Sequence, residues 1–341
     1  MQDHTSDAGQ SAKDFARQTL MNSIAGNLGD AVMNALADPE VIEIMLNPDG
    51  RLWIEKFAQP MTMVGWLPPS QSENAIRLIG SAIGSVPTRQ EPFVEGNLPL
   101  DGSRFLAITP PVSSGPTFTI RKKAVKIFTF DDYIAVGNLT PEAKVILEKA
   151  VAEHRNILVV GGTGSGKTTF VNAIVEAVAR QTPHDRLLII EDTSELQSTS
   201  ENKVELTTTD FVDMKRLLKV TMRFRPDRIL VGEVRDVAAL SLVKAWNTGH
   251  EGGLATVHAD NARKGMTRIE QLIAEGNYQP IKEVLADAIH LVVFMKKLSG
   301  IRRVAEIVSV GFSKKSEEYT FDYQYRFESD PCDGRLTAAA H

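Results

Sequence analysis

The stretch GGTGSGKTT, residues 161–169, sets Gly161, Gly166, Lys167 and Thr168 in the order G-x-x-x-x-G-K-[ST]. Chance gives that pattern in about one chain in a hundred of this composition, so its surroundings decide what it is. The apolar run NILVV precedes it as a strand. Phe170, Ala173, Ile174, Ala177 and Val178 then mark the apolar face of a helix. A glycine-rich strand-to-helix turn lets backbone N–H groups curl around phosphate oxygens, while the new helix points its positive end at them. The spacing therefore predicts a nucleoside triphosphate site built from Gly162, Thr163, Gly164, Ser165, Gly166, Lys167, Thr168 and Thr169. Lys167 would reach the β- and γ-phosphates, and the Thr168 hydroxyl would ligate Mg²⁺. A GTPase would add N-K-x-D; the nearest match, NKVE at 202–205, ends in glutamate and has no switch pattern, so ATP is expected.

Holding a nucleotide is not hydrolysing it, which also needs carboxylates for the metal and for water. Two apolar runs end in acids. LLIIEDTSE offers Glu191, Asp192 and Glu195, and RILVGEVRD offers Glu233 and Asp236. Parallel strands bring their C-terminal ends to the same edge as the phosphate loop, so these acids are candidates, Glu233 foremost as catalytic carboxylate and metal ligand. The competing use of such acids is to cap helices or to pair with Arg223, Arg225 or Arg235. His250 and His258, eight apart in NTGHEGGLATVHAD, have neither a cysteine nor an H-E-x-x-H pattern beside them, so a metal pair is not expected there. His154, His184 and His290 match no catalytic pattern.

The elements that must position these residues divide the chain. NILVV, RLLII and RILV are nearly continuous apolar runs separated by helical patterns, which predicts a parallel sheet flanked by helices. Its first helix opens with Thr140 as N-cap and Pro141 at the first helical position. The front of the chain reads differently. A helix over residues 11–37 is followed by two strands around the turn Asn47-Pro48-Asp49-Gly50. A helical run with Ser70 and Glu73 at capping-box spacing comes next, then strands in DGSRFLAITPP and PTFTIRKK. The expectation is an N-terminal α+β domain over 1–132, an α/β domain over 133–315, a linker within 128–138 and a polar tail, 316–341, with no clear period.

The totals agree with a soluble enzyme. The 341 residues carry 38 basic and 43 acidic side chains, a net charge of −5, which gives no overall field for nucleic acid. The one cysteine, Cys332, cannot form an internal disulfide. The polar start MQDHTSDAGQ lacks signal-peptide features, and no apolar stretch approaches the ~20 residues of a membrane span. A cytoplasmic location is expected.

GGTGSGKTT, IIEDTSEL, TMRFRPDRILVGEVRD and NTGHEGGLATVHA, in that order and at these intervals, resemble the Walker A, Asp box, Walker B and His box of the secretion or traffic ATPases. That superfamily drives type II secretion, type IV pili and type IV secretion. R-x-R-P-D before Walker B looks like the type IV secretion branch. VIEIMLNPDGRLWIE, GSRFLAITPPVSSGPTFTIRKK and FDDYI look like the TrbB-type conjugal transfer ATPases; the resemblance runs from about residue 28 to 312. It implies a RecA-like P-loop domain hinged to the smaller front domain, assembled as a homo-hexamer on inner-membrane components of a conjugation machine. The acidic balance and the lack of an aromatic-basic pattern count against direct nucleic-acid binding. It also implies roles for residues: His258 beside the γ-phosphate as a sensor, Glu191 and Glu195 orienting water or Mg²⁺, and Arg104 and Arg121 reaching the nucleotide from the front domain. Lys122 and Lys123 would extend that basic patch. A P-loop kinase, a nucleic-acid motor and a slowly hydrolysing nucleotide-gated scaffold are the rival readings.

Overall fold

The computed structural model describes residues 4–56, 59–122, 127–209, 211–298 and 301–327, with side chains from residue 14 onward except that of Leu298. Lys123, Cys332 and the end of the expected tail, 328–341, lie outside the described residues. The chain divides into two compact units, Met1–Lys126 and Ile127–His341, a boundary six residues ahead of the one expected.

The first unit runs α1 (His4–Ala37), β1 (Val41–Leu46), β2 (Arg51–Lys56), β3 (Thr62–Trp66), α2 (Pro69–Ile83), β4 (Phe93–Asn97), β5 (Arg104–Ile108) and β6 (Thr117–Arg121). Its strands form one antiparallel sheet in the order β3-β2-β1-β6-β5-β4. Alternation puts Ile44, Leu46, Leu52, Phe105, Phe118 and Ile120 in one core with Ile24, Leu28 and Val32 of α1 and Ala75, Ile76 and Ile79 of α2. The turn at 47–50 forms as expected, with Gly50 at φ 86°. The Ser70–Glu73 capping box does not. The helix starts two residues earlier because Pro68 and Pro69 preset its first φ angles, and no side chain caps it. Glu73 instead pairs with Arg77 one turn on, at 2.9 Å.

The second unit runs α3 (Phe130–Ala135), α4 (Pro141–Ala152), β7 (Ile157–Gly161), α5 (Lys167–Gln181), β8 (Leu187–Glu191), β9 (Lys203–Thr207), α6 (Met214–Thr221), β10 (Arg228–Val231), α7 (Ala238–Trp246), β11 (Leu254–His258), α8 (Ala262–Glu275), α9 (Lys282–Ala288), β12 (Leu291–Leu298), β13 (Ile301–Ser313) and β14 (Glu318–Arg326). Its sheet has the order β14-β13-β12-β7-β11-β10-β8-β9. From β12 to β9 it is parallel, and β13 and β14 add an antiparallel extension. Every residue of β7, β8 and β10 is buried, which is why those runs carry no polar alternation.

Two expectations change here. The linker at 128–138 is largely a helix of the second unit. Thr129 and Asp132 form a capping box at its start, and Phe130 and Tyr133 are buried against Phe170 of α5. Thr140 does cap α4, accepting from the Ala143 N–H. Residues 318–326, expected in an aperiodic tail, form β14. Tyr319, Phe321 and Tyr323 alternate with exposed polar residues and pack on the sheet's helical face, a period of two that polar composition disguised.

One buried amide aligns the strands that carry the site. Asn156, fully buried ahead of β7, accepts from the Gly253 N–H at 2.8 Å and donates to the Ala288 carbonyl at 2.8 Å. It thus ties the starts of β7, β11 and β12. Asn156→Ala would orphan two buried backbone groups, at a cost of about 2–4 kcal/mol. Urea denaturation of the variant should register that loss; a change within error would mean water replaces the amide.

Candidate nucleotide-binding site

The phosphate loop leaves β7 and turns into α5 through two left-handed glycines, Gly164 at φ 68° and Gly166 at φ 87°. A Cβ on Gly161 would stand 2.6 Å from the Met295 carbonyl oxygen, so only glycine lets the loop start this close to β12. Lys167, the first residue of α5, is buried at 7% exposure. Its Nζ donates to the Gly161 carbonyl at 2.8 Å and the Gly162 carbonyl at 3.1 Å, and lies 3.2 Å from His258 Nδ1. Thr168 and Thr169 follow half-buried in the first turn.

His258 ends β11, in register with Gly161 of β7. Its Nε2 lies 3.1 Å from Glu233 Oε1. Glu233 Oε2 accepts from Arg235 Nη2 at 2.9 Å, and Arg235 Nη1 lies 3.7 Å from Asp192. A row of side chains, Lys167–His258–Glu233–Arg235–Asp192, therefore runs along the C-terminal strand edge. Lys167 has only protons to offer, so Nδ1 accepts and the ring proton sits on Nε2 toward Glu233. Burial, reinforced by the Lys167 charge and opposed by Glu233, pushes the imidazole below its ordinary value, so it is neutral near pH 7. Burial alone would raise Glu233. The Arg235 hydrogen bond and charge, then His258 and Lys167, more than offset it and hold the carboxyl below its ordinary value.

Glu191 behaves in the opposite way. It ends β8 at 5% exposure, and burial pushes it from 4.5 up to about 7, against the N–H groups of Glu195 and Leu196, which donate to Oε1 at 3.1 and 2.9 Å. A Cβ on Gly232 would stand 2.9 Å from Glu191 Cγ, so the glycine beside Glu233 makes room for this carboxyl. Glu195 adds its carbonyl, which accepts from Asn172 Nδ2 at 3.2 Å, and a carboxylate charge felt by both Glu191 and Arg235.

The other candidates separate. Asp236 accepts from the Ala238 N–H at 2.7 Å and so serves the start of α7. Of the three arginines weighed against the acids, Arg235 pairs with them; Arg223 and Arg225 are exposed. His250 precedes β11, whose first residue is in register with Ile157, so it sits at the sheet edge opposite the phosphate loop. His154 lies at that edge too, 3.0 Å from Asp185, which also pairs with buried Arg228 at 2.5 Å. Arg104 and Arg121 belong to the first unit, directly opposite each other on β5 and β6, with Arg104 3.5 Å from Glu95. Lys122 leaves the expected basic patch. It is buried, with Nζ on the Ala35 and Asp38 carbonyls at 3.2 and 2.6 Å, closing the C-terminal end of α1.

Two residues that sequence reasoning missed hold the loop. Asn172 of α5 accepts from the Gln197 N–H at 2.9 Å and pins the loop after Glu195; its place among apolar helix neighbours was the available signal. Arg302 of β13 donates from Nε to the Gly164 carbonyl at 2.8 Å, and nothing local in IRRV distinguishes it from Arg303.

A strand-carried phosphate loop, a parallel sheet and acids at neighbouring strand ends define a RecA-like P-loop protein. A family description, type II/IV secretion system protein, matches residues 30–316, and the chain belongs to that family. It is 43% identical over 312 residues to the conjugal transfer protein TrbB of Rhizobium radiobacter, covering 91% of this chain and 96% of that one. In fold it is similar to the ATPase DotB of Yersinia pseudotuberculosis, at TM-score 0.61 and 19% identity over 85% of this chain and 80% of that one. It is likewise similar to the pilus retraction motor PilT with bound ADP, at TM-score 0.59 and 18% identity over 83% of each chain. No helix among the described residues is long and apolar enough to cross a membrane.

The raised Glu191 value has a testable sign. Ionising this carboxyl costs the folded state, so the stability it contributes is full below about pH 4.5 and is lost as pH rises through about 7. Glu191→Gln keeps an oxygen for both N–H groups and removes the titration. Its stability relative to the parent should climb between about pH 5 and about pH 8, by on the order of 1–3 kcal/mol, in thermal denaturation. A difference that does not move with pH would place Glu191 in the ordinary carboxylate range.

Proposed function

We propose that this chain is the ATP-hydrolysing motor subunit of a conjugative type IV secretion machine, acting as a homo-hexamer that powers pilus assembly or substrate transfer. The observation that carries the reading is the neutral His258 bridging Lys167 and an ionised Glu233. That arrangement links the phosphate-holding cation to a carboxylate at a neighbouring strand end.

In this reading Gly162 to Thr169 cradle the triphosphate. Gly162 and Gly164 have open space where a Cβ would stand, which fits close approach of phosphate to the backbone. Among the described residues no cluster of three or more His, Cys, Asp or Glu side chains could hold a metal ion. Magnesium usually keeps waters and phosphate oxygens as ligands, which suits a site where Thr168 and Glu233 are the protein's contribution. Bound there, Mg²⁺ would neutralise charge on the phosphoryl oxygens. Lys167 turns its ammonium from loop carbonyls to the β- and γ-phosphates. Glu233 orients the attacking water or the metal, and Glu191, pushed up to about 7, is a second carboxyl able to take a proton near neutral pH. Glu195 sets the loop beside it, His258 reads the terminal phosphate, and Arg104 and Arg121 offset charge on the transferred group. The 43% identity to a conjugal transfer protein supports the conjugative assignment. A peripheral, cytoplasmic place on inner-membrane partners goes with that reading, and the net charge of −5 argues against direct nucleic-acid contact.

Both Glu233 oxygens are occupied, by His258 and by Arg235. That observation favours, as the second reading, a nucleotide-gated scaffold of the same machine with slow turnover. Binding and steady-state turnover of two variants decide between them. Lys167→Ala should abolish ATP binding. Glu233→Gln should bind ATP and lose at least about 100-fold in turnover. Undiminished hydrolysis in Glu233→Gln would move the catalytic role to another carboxylate, and negligible turnover by the parent chain at any concentration would favour the scaffold.

A further inference from the structure

Helix α8 follows His258 and has three distinct faces. Ala262, Met266, Ile269 and Leu272 are buried in the core. Arg263 and Glu270 clasp β14, through the Phe321 ring at 4.6 Å and the Tyr319 hydroxyl at 2.6 Å. The third face, Lys264, Thr267, Arg268 and Gln271, follows the i, i+3, i+4, i+7 spacing of one helix stripe. It lines a cleft of about 540 Å³ whose facing wall is Gly162, Thr163 and His258. The lining thus brings phosphate-loop residues and His258 together with two cations and two neutral hydrogen-bonding side chains of α8.

Those two cations are held differently. Lys264 pairs with Asp260, also on the cleft wall, at 2.8 Å. Arg268 is drawn along the helix to Glu275, seven residues on, at 3.3 Å. Both ends of that bridge are partly exposed, at 36% and 53%, so water screens it and little holds the guanidinium there. A doubly charged phosphoryl group offers the planar guanidinium a bidentate, charge-assisted contact that outcompetes such a bridge.

We propose that Arg268, supported by Lys264, is a terminal-phosphate sensor, exchanging Glu275 for phosphoryl oxygens when the cleft is filled. The proposal rests on the nucleotide-binding reading above. Its ligand chemistry is a phosphoryl dianion, either the terminal group of a bound triphosphate or the inorganic phosphate cleaved from it. Arg268 thereby distinguishes triphosphate from diphosphate within one chain, and Glu275 sets the threshold by competing for the same guanidinium.

Isothermal titration of the full chain with Mg²⁺ and ADP, a non-hydrolysable ATP analogue, or ADP with added inorganic phosphate tests this. The parent chain should prefer the analogue to ADP. Arg268→Gln should lower affinity for the analogue about tenfold while ADP affinity stays within about twofold. Arg268→Lys should recover part of the preference, and Glu275→Gln should sharpen it by freeing the guanidinium. If added phosphate tightens ADP binding in the parent and not in Arg268→Gln, the group also holds the free product; if only the analogue responds, it reads the covalent terminal phosphoryl. Equal losses for both nucleotides in Arg268→Gln, or an unchanged preference in both Arg268→Gln and Glu275→Gln, overturn the proposal while leaving nucleotide binding intact. A parent chain that binds neither nucleotide overturns both.

Discussion

A lysine ammonium buried at the first turn of a helix is the constraint from which most of the second unit follows. The N-terminal end of α5 carries partial positive charge, so a cation there is opposed by the helix dipole as well as by burial. Two loop carbonyls and the lone pair of a neutral imidazole offset that cost. Each partner has a structural condition. The carbonyls of Gly161 and Gly162 face back only because the loop curls through left-handed Gly164 and Gly166. The imidazole arrives only because β11 pairs with β7 in the register that sets His258 beside Gly161. A one-residue slip of that strand would turn His258 to the other face and leave the ammonium short of an acceptor.

The two edges of the parallel sheet are built for different purposes. At the N-terminal edge, fully buried Asn156 bonds across three strands, and Arg228, at 1% exposure, spends its guanidinium on Asp185, Gly252, Val151 and Thr182. Removing one partner from such a buried pair costs about 3–5 kcal/mol, so this edge is fixed. The C-terminal edge gathers Glu191, Glu233 and His258, since parallel strands deliver their ends together. The ion pairs there are partly exposed: Arg235 at 58% and Glu233 at 23%. Pairs of that kind contribute about 0–1 kcal/mol and exchange partners readily. The sheet thus fixes strand register at one end and leaves charges free to regroup at the other.

What could be read beforehand follows the same division. The phosphate loop was legible because backbone conformation and chemistry both demand the same residue types, glycine where φ is positive and lysine where phosphate sits. The buried strands were legible because they lack polar alternation. The role expected of His258 came from family resemblance and not from its own sequence, since only the β7–β11 register puts it beside Lys167. Lys122 looked like part of a basic patch because a one-dimensional charge run does not reveal that one lysine turns inward to close α1. Strand β14 escaped notice because its aromatic alternation lies inside a strongly polar composition, and α3 because it is only six residues long. Ser70 and Glu73 had the spacing of a cap, but two prolines fixed the helix start first.

Carboxylates at neighbouring strand ends also show how environment divides labour. Glu191 ends β8 and Glu233 lies just beyond the adjacent parallel strand β10. Burial pushes both up and prevails at Glu191, whereas at Glu233 the Arg235 guanidinium, His258 and Lys167 together outweigh it, so the two are driven to opposite sides of the ordinary glutamate value. Gly232 is the pivot of that difference. Its missing side chain lets Glu191 pack away from water against the β10 backbone, while the next residue points Glu233 toward Arg235 and His258. A side chain at 232 would push Glu191 back toward solvent and draw the two carboxyls toward the same protonation state. The glycine before Glu233 therefore does more than permit a turn: it keeps one carboxyl able to hold a proton near neutral pH beside another that stays charged.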